Sequence, residues 1–144
     1  MEFYDQFEHN IDDKGRLVLP SAYRSAFTTG GFVTYMGDYA ALFTPGEWDR
    51  YRRKLQESGE FTRRQLQTMF SFVTPFTPDA QHRISIGAKL RTEVGIDREV
   101  TIVGSGSHAA VYARSKWDAF EAGAMAPDES GRSLADKIAD LGFL

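Results

Sequence analysis

Residues 10–20 read NIDDKGRLVLP, and residues 77–87 read TPDAQHRISIG, which is a degenerate copy of the same pattern. Each segment carries an aspartate, three further residues, an arginine and then an apolar stretch. An apolar stretch of that length between turn residues is typical of a β-strand. Both segments therefore predict a tight turn that leads into a strand.

The correspondence continues downstream of these segments. Tyr23-Arg24 matches Leu90-Arg91, and after a shift of two residues Trp48 matches Trp117. Agreement along a unit of about 67 residues indicates a duplicated supersecondary unit. Each unit alone would bury only a thin core, so we expect the two units to pack together.

Length and composition restrict the class of protein. The 144 residues suffice for one ordinary domain or for two small units packed together. The chain has no cysteine, so neither a disulfide framework nor a thiolate metal site is expected. Its N-terminus lacks the regions of a signal peptide, and no apolar run could span a bilayer. We therefore expect a soluble cytoplasmic protein with no membrane partner.

The charge distribution sets a condition on nucleic-acid binding. The net charge is -3 and the isoelectric point is about 5.6, so the whole chain has no general attraction to phosphate. Positive charge must then be concentrated on one face or gathered by assembling several copies. Residues 50–64 contain six cationic side chains and two carboxylates, so the charge is indeed uneven.

Apolar periodicity and capping residues predict the elements of the chain. The first half is expected to contain strands at 3–11 and 16–19 around a turn at 12–15, a short helix from Pro20, a hairpin of strands 32–36 and 41–43, and two helices that follow the caps Thr44 and Thr62. The second half repeats this order and ends in a helix at 133–141. A mobile loop is expected at 123–132, because glycine, proline and polar residues dominate there.

A strand, an Asp-x-x-Gly-Arg turn, a strand that ends at Pro20 and a short helix with Arg24 together resemble the swapped-hairpin AbrB/SpoVT fold. Two such units in tandem, separated by a helical pair, resemble the MraZ family over essentially the whole chain. The resemblance implies an α+β, mainly β fold with two AbrB-like units at residues 1–73 and 74–144. It further implies that these units form a pseudo-twofold β-barrel with short flanking helices.

The resemblance also implies a function. The family is a sequence-specific transcriptional regulator of the division and cell-wall gene cluster, and repression is the expected effect. It binds short direct repeats in promoter DNA as a ring-shaped homo-oligomer, which implies a nucleoid-associated protein in the cytoplasm. No cofactor is implied.

The family's DNA-contacting residues carry over onto particular positions. The expected DNA-binding residues are His9, Lys14, Arg16, Arg24, Arg83 and Arg91, and the expected structural turn residues are Asp12, Gly15 and Asp79. The second unit departs from the pattern, since His82 replaces the turn glycine and Gly87 replaces the closing proline. We therefore expect weaker DNA contact from the second unit.

Several of these residues also have a structural interpretation. Asp12 and Arg16 can form an ion pair that holds the turn, or Arg16 can reach a phosphate or a guanine edge, and the sequence leaves both open. Asp12 and Asp79 repel phosphate, which favours a structural role. A DNA contact is favoured for Arg24, whereas the cations at residues 50–54 are more typical of a solvated helix face.

Other classes of function have less support. The three histidines lack metal-ligand spacing, and no nucleophile elbow or P-loop is present, so the sequence disfavours an enzyme. The main alternative is a protein-interaction module or an antitoxin-like AbrB-fold protein whose partner is another protein. Residues 123–132 would be its only candidate partner-binding segment.

Overall fold

The computed structural model describes residues 2–143. Its strands are β1 (Gln6–Asn10), β2 (Arg16–Val18), β3 (Gly31–Tyr35), β4 (Ala40–Phe43), β5 (Thr74–Phe76), β6 (Arg83–Ser85), β7 (Glu99–Gly104) and β8 (Ala109–Ala113). Its α-helices are α1 (Pro45–Glu57), α2 (Arg63–Ser71), α3 (Ala88–Glu93), α4 (Arg114–Met125) and α5 (Leu134–Ala139). The predicted α+β, mainly β class is confirmed as a mixed α+β fold built on antiparallel sheets.

The strand order of the larger sheet is a palindrome of the two repeats. Six strands pair in the order β1-β7-β8-β4-β3-β5, and every pairing is antiparallel. The repeat makes β5 the counterpart of β1, β7 that of β3 and β8 that of β4. Exchanging the two repeats gives the same strand order read from the opposite edge. The sheet therefore has a local twofold relation.

The smaller sheet is a ribbon of β2 and β6, and it has the same symmetry. Its register pairs Leu17 with Ile84 at the centre, and these residues occupy equivalent places in the two repeats. Alternation along a strand sends successive side chains to opposite faces. Leu17 and Ile84 are accordingly buried, whereas Arg16, Val18, Arg83 and Ser85 lie on the outer face of the ribbon.

Aromatic side chains supply much of the core between these strands. Phe3 and Phe27 are fully buried with ring centroids 5.6 Å apart, and Tyr23 meets Phe3 edge-on at 4.9 Å. Such pairs stabilise a core somewhat beyond the area that they bury. Tyr23 and Phe27 lie in the short helix expected after Pro20, which spans Ser21–Phe27 and is of the 3₁₀ type.

Capping sets the starts of the helices as the sequence predicts. The Thr44 hydroxyl accepts a hydrogen bond from the Glu47 amide, and Thr62 and Gln65 form a reciprocal capping box. Trp48 and Leu55 are buried on one side of α1, as their helical spacing requires. None of the helices in residues 2–143 has both the length and the apolar character needed to cross a membrane.

The structure divides into two compact units, Met1–Ala113 and Arg114–Leu144. The second unit holds α4 and α5, and a capping box of Ser133 with Asp136 begins α5 as expected. An ion pair of 2.7 Å joins Lys137 Nζ to Asp128 Oδ2 within this unit. Helix α4 extends through Met125, so the first three residues of the loop expected at 123–132 are helical.

The N-terminal segment differs from the strand predicted at 3–11. Strand β1 begins only at Gln6, because Asp5 has a φ of 73° and interrupts the extended backbone. Phe3 instead pairs with Gly106 through two backbone hydrogen bonds of 2.7 and 3.0 Å. A Cβ atom on Gly104 would lie only 2.4 Å from the backbone of Tyr4. Only glycine at position 104 therefore permits this approach.

We expect Gly104→Ala to displace the N-terminal segment and to withdraw Phe3 from the core. The free energy of unfolding should fall by at least about 2 kcal/mol, towards the roughly 3–5 kcal/mol that loss of a buried phenylalanine costs. Urea denaturation measures the change. Gly46→Ala in α1 is the matched control, since a Cβ there meets no atom within 4 Å. That control lies in the exposed first turn of α1, so its stability should stay within about 0.5 kcal/mol of the parent. Equal stability of the two variants would contradict the close approach at Gly104.

Candidate nucleic-acid interface

The first turn is organised by the carboxylate of Asp12. Its Oδ1 accepts hydrogen bonds from the amides of Lys14 and Arg16, each at 2.9 Å, and its Oδ2 accepts one from Arg16 Nε at 2.7 Å. Backbone hydrogen bonds from Gly15 to Asp12 and from Asp12 to Arg16 close the turn. Aspartate is suited to this place, because its short side chain can bond the backbone two residues ahead.

The second turn has the same geometry around Asp79. Its carboxylate accepts from the amides of Gln81 and Arg83 at 2.9 Å and from Arg83 Nε at 2.8 Å. The left-handed position is taken by Gly15 in the first turn, with a φ of 77°, and by His82 in the second, with a φ of 61°. The histidine therefore keeps the turn conformation that the glycine permits.

Two reciprocal hydrogen bonds join the turns to each other's repeat. The amide of Ile86 donates to the carbonyl of Gly15, and the amide of Leu19 donates to the carbonyl of His82, both at 2.9 Å. Leu19 and Ile86 are equivalent residues of the two repeats, as are Gly15 and His82. These bonds extend the β2–β6 pairing and place one turn at each end of the ribbon.

Arg24 and Arg91 occupy equivalent places beside the ribbon. Arg24 Nε donates to the carbonyl of Leu19 at 3.1 Å, and Arg91 Nε donates to the carbonyl of Ile86 at 3.0 Å. Each anchor uses Nε and leaves the terminal nitrogens without a hydrogen bond in residues 2–143. The two terminal nitrogens of an arginine form a fork whose geometry suits a phosphate or a guanine edge.

In each turn the charge of the aspartate is paired with that of an arginine. The Arg16 amide hydrogen bond, followed by that from the Arg16 side chain, lowers the pKa of Asp12 below its ordinary value of 3.8. The pKa of Asp79 is lowered for the same reasons by Arg83. Each Asp–Arg pair is close to neutral as a unit. The ion pairs support the structural interpretation of Asp12 and Asp79. Within residues 2–143, Arg24 and Arg91 are anchored only through Nε, so their terminal nitrogens are placed to contact a ligand.

The remaining expected site residues lie at or near the ribbon. Lys14 is exposed in the first turn, with no ion pair in the part of the chain that the structure describes. His9 is half-buried in β1, opposite Val100 and three residues before the turn. Lys89, which is not among the expected contacts, has its Nζ 5.6 Å from the centre of the Phe72 ring and is directed towards an aromatic surface.

Two contacts of the site do not follow from the sequence pattern. A Cβ on Gly15 would lie 2.9 Å from the carbonyl oxygen of Ile86 and 3.1 Å from the guanidinium of Arg91. At the equivalent place in the second turn, Arg24 and His82 line a shared cleft of about 260 Å³. Each turn therefore lies beside the arginine of the other repeat. Repetition in the sequence does not reveal this exchange, because it does not state which strands pair.

Cations of α1 form ion pairs within their own helix. Arg50 pairs with Glu47 at 3.0 Å, and Arg53 pairs with Asp49 at 3.0 Å, both within one turn of the helix. Such pairs are typical of a solvated helix face, in line with the structural interpretation. Among residues 2–143, no group of three histidines or carboxylates could hold a metal ion.

Comparison with known proteins finds one family over both repeats. The model of a family described as "MraZ protein, putative antitoxin-like" matches residues 3–68 and again residues 69–134. A protein of Desulforamulus reducens named "Transcriptional regulator MraZ" is 33% identical over 144 residues, which cover 96% of this chain and 99% of the relative. Proteins of the same name from Roseiflexus castenholzii and Acetivibrio thermocellus are 32% and 31% identical, and each match covers 98% of this chain and 99% of the relative.

The close approach at Gly15 predicts an asymmetric response to substitution. Gly15→Ala should lower the free energy of unfolding by about 1–2 kcal/mol, because alanine disfavours a left-handed backbone. It should also push against Ile86 and Arg91. His82→Gly, the matched variant, should stay within about 1 kcal/mol of the parent. Denaturant unfolding of both variants measures this difference, and a loss in His82→Gly as large as that in Gly15→Ala would contradict it.

The lowered pKa values of Asp12 and Asp79 predict a dependence of stability on acid. A carboxyl with a lowered folded-state pKa stabilises the fold above its unfolded value of about 3.9. That contribution is lost as the pH falls through the lower folded-state pKa. We expect the Asp12→Asn/Asp79→Asn double variant to lose stability less steeply below about pH 4 than the parent does. Chemical denaturation at several acidic pH values measures the slope.

Asp13→Asn is the control for this pH dependence. Asp13 is exposed in the same turn but makes none of the hydrogen bonds that hold Asp12. Its variant should keep the slope of the parent. An unaltered slope in the double variant would show that the two turn carboxylates do not contribute to acid unfolding.

Proposed function

The chain belongs to the MraZ family of transcriptional regulators, and we propose that it regulates transcription by binding double-stranded DNA with its β2–β6 ribbon. A two-stranded ribbon is narrow enough to enter the major groove of B-DNA. The observation that carries the proposal is the outer face of this ribbon, which presents Arg16 and Arg83. Arg24 and Arg91 flank it, each with a free guanidinium fork.

The proposed contacts differ in kind between the arginines. Arg24 and Arg91 are anchored through Nε and offer a bidentate fork, the geometry that suits a guanine edge or a phosphate. Arg16 and Arg83 are each held by an aspartate through Nε. They can contact DNA only with the guanidinium nitrogens that this ion pair does not use. Lys14 offers a flexible ammonium for phosphate, and His9 is a further candidate contact.

Assembly of several copies would compensate for the small number of cations on each ribbon face. With a net charge of -3, one copy would bind weakly and lose affinity quickly as salt rises. We propose that copies form a ring and bind successive direct repeats in the promoter of the division and cell-wall gene cluster. Each bound copy then raises the effective concentration of the next one. Repression would follow from occupation of the promoter by this cytoplasmic, nucleoid-associated assembly, without enzymatic activity.

The finer fold expected from the family is part of this proposal. Two AbrB-like units, at 1–73 and 74–144, would interlock their hairpins and close a pseudo-twofold β-barrel. The palindromic strand order and the reciprocal hydrogen bonds of the ribbon support that arrangement. The two turns would then face one stretch of DNA together.

A second candidate is an interaction module whose main partner is a protein, as the antitoxin-like description of the family model suggests. One feature favours it. An apolar cavity of about 420 Å³ opens between α1, α2 and the end of β3, with Tyr51, Leu55 and Phe72 among its walls. Purification from the native host distinguishes the candidates, because a stoichiometric protein partner favours the module and bound DNA favours the regulator.

The direct test of DNA binding is fluorescence anisotropy with a duplex from the promoter of the protein's own operon. A scrambled duplex is the control, and both are titrated at two salt concentrations. A preference for the promoter that strengthens with the number of repeats supports the regulator and the ring. Equal, salt-sensitive binding to both duplexes contradicts sequence specificity, and absence of binding contradicts the proposal as a whole.

Substitution of Arg24 tests the proposed contact itself. Arg24→Ala should weaken promoter binding and reduce the slope of log K against log salt by about 0.9 for each phosphate that is no longer neutralised. Arg24→Lys should keep the slope but lose about 1–3 kcal/mol of base discrimination, if the fork reads guanine. Arg53→Ala, on the exposed face of α1, is the control. An Arg24→Ala variant that folds and keeps the slope of the parent contradicts the assignment.

A further inference from the structure

Resting on the DNA-binding function proposed above, we infer that each chain binds its DNA site in one orientation, which is set by the unlike residues Lys14 and Gln81. The inference concerns two parts of the ribbon face, each built from both repeats. The first half-face consists of Lys14, Gly15 and Arg91. The second half-face consists of Gln81, His82 and Arg24.

The first half-face is joined by direct contact. The guanidinium of Arg91 lies so close to Gly15 that a Cβ there would be 3.1 Å from its Cζ and Nη2 atoms. Gly15 is buried by this approach, and the adjacent Lys14 is exposed. The same end of the ribbon therefore carries the Arg91 guanidinium beside Gly15 and an exposed lysine at the next position of the turn.

The second half-face is the symmetric counterpart with different chemistry. Arg24 and His82 line one cleft, but the residue equivalent to Lys14 is the neutral Gln81. His82 is exposed, whereas its counterpart Gly15 is buried. This end of the ribbon therefore offers one guanidinium, an imidazole and an amide in place of two cations.

The local twofold relation makes this difference decisive for orientation. The reciprocal hydrogen bonds and the matched register give the two ends of the ribbon the same backbone geometry. Turning the ribbon around on DNA would then superimpose one backbone on the other. Only unlike side chains can favour one direction, and within the two turns Lys14 against Gln81 is the pair that differs by a phosphate-binding charge.

A nearby carboxylate cancels the difference in formal charge between the half-faces but not the difference in how far their cations reach. Asp13 precedes Lys14, and its counterpart in the second turn is Ala80. Both positions are exposed. The lysine side chain is two bonds longer, so its ammonium can extend to a phosphate that the carboxylate does not reach. The first half-face therefore differs from the second in the placement of its charge, because its lysine ammonium has no counterpart at Gln81.

The matched exposed positions 13 and 80 provide the experiment. The chain has no cysteine, so Asp13→Cys and Ala80→Cys each create one attachment point for an iron–EDTA group that cleaves nearby DNA. The probe is the promoter duplex of the protein's own operon, bound by the full chain. With one orientation, the two labelled proteins cut opposite flanks of each repeat. Cutting of both flanks by each labelled protein overturns the inference.

Exchange of the two turn residues tests their role. Lys14→Gln with Gln81→Lys keeps the net charge and alters only exposed positions. In both labelled backgrounds we expect the cuts to move to the opposite flank. An exchange variant that binds the duplex and keeps the flanks of the parent overturns the assignment to Lys14 and Gln81. Lys54→Gln, on the exposed side of α1, should leave the flanks unchanged.

Failure of this inference is distinguishable from failure of the proposed function. If the labelled proteins bind the promoter no better than the scrambled duplex, the regulator proposal fails and the inference fails with it. If they prefer the promoter but cut both flanks equally, DNA recognition stands and only the single orientation is wrong.

Discussion

The paired hydrogen bonds of the β2–β6 ribbon are the constraint on which the other features depend. A strand of three residues offers few bonds of its own, and unpaired backbone groups are costly when they are buried. By donating from Leu19 to His82 and from Ile86 to Gly15, each repeat satisfies the turn of the other. Strands of one repeat therefore have to pair with strands of the other. The same crossing recurs in the larger sheet, where β1 pairs with β7 and β3 pairs with β5.

This exchange explains why the two aspartates matter although both are partly exposed. Asp12 and Asp79 each hold a turn in the conformation that presents its carbonyl to the other repeat. The same carboxylates pair with Arg16 and Arg83, so the turns carry little net charge of their own. The free guanidinium forks come instead from Arg24 and Arg91. The residues that shape the face and those proposed to contact DNA are thus largely different sets.

Symmetry of the backbone and asymmetry of the side chains coexist in the ribbon. His82 shows how this is possible, since it adopts nearly the φ of Gly15 but keeps an exposed ring where the glycine admits Arg91. A face that was symmetric in every residue would have no preferred direction on DNA. In a duplicated chain the two copies can diverge at exposed positions without disturbing the pairing that holds them together. The sequence predicts weaker DNA contact from the second repeat, but each end of the face combines parts of both repeats.

Comparison of the two halves of the sequence revealed the repeat. Local patterns determined the two Asp–Arg turns and the caps at Thr44, Thr62 and Ser133. These features depend on residues within a few positions of one another, so their chemistry is visible in the order of the chain. The strand boundary at Asp5 and the 3₁₀ form of Ser21–Phe27 were not predicted. Both occur where Phe3, Tyr23 and Phe27 pack together, and these contacts join segments that are distant in the sequence.

Only the tertiary structure decided which strands pair and which arginine lies beside which turn. Arg91 approaches Gly15, and Arg24 shares a cleft with His82, although the members of each pair are more than fifty positions apart in the sequence. Backbone hydrogen bonds between strands are the same for any residue type, so the repeat alone does not reveal whether a strand pairs within its own unit or across to the other. That choice depends on the burial of the whole chain, which no local pattern records.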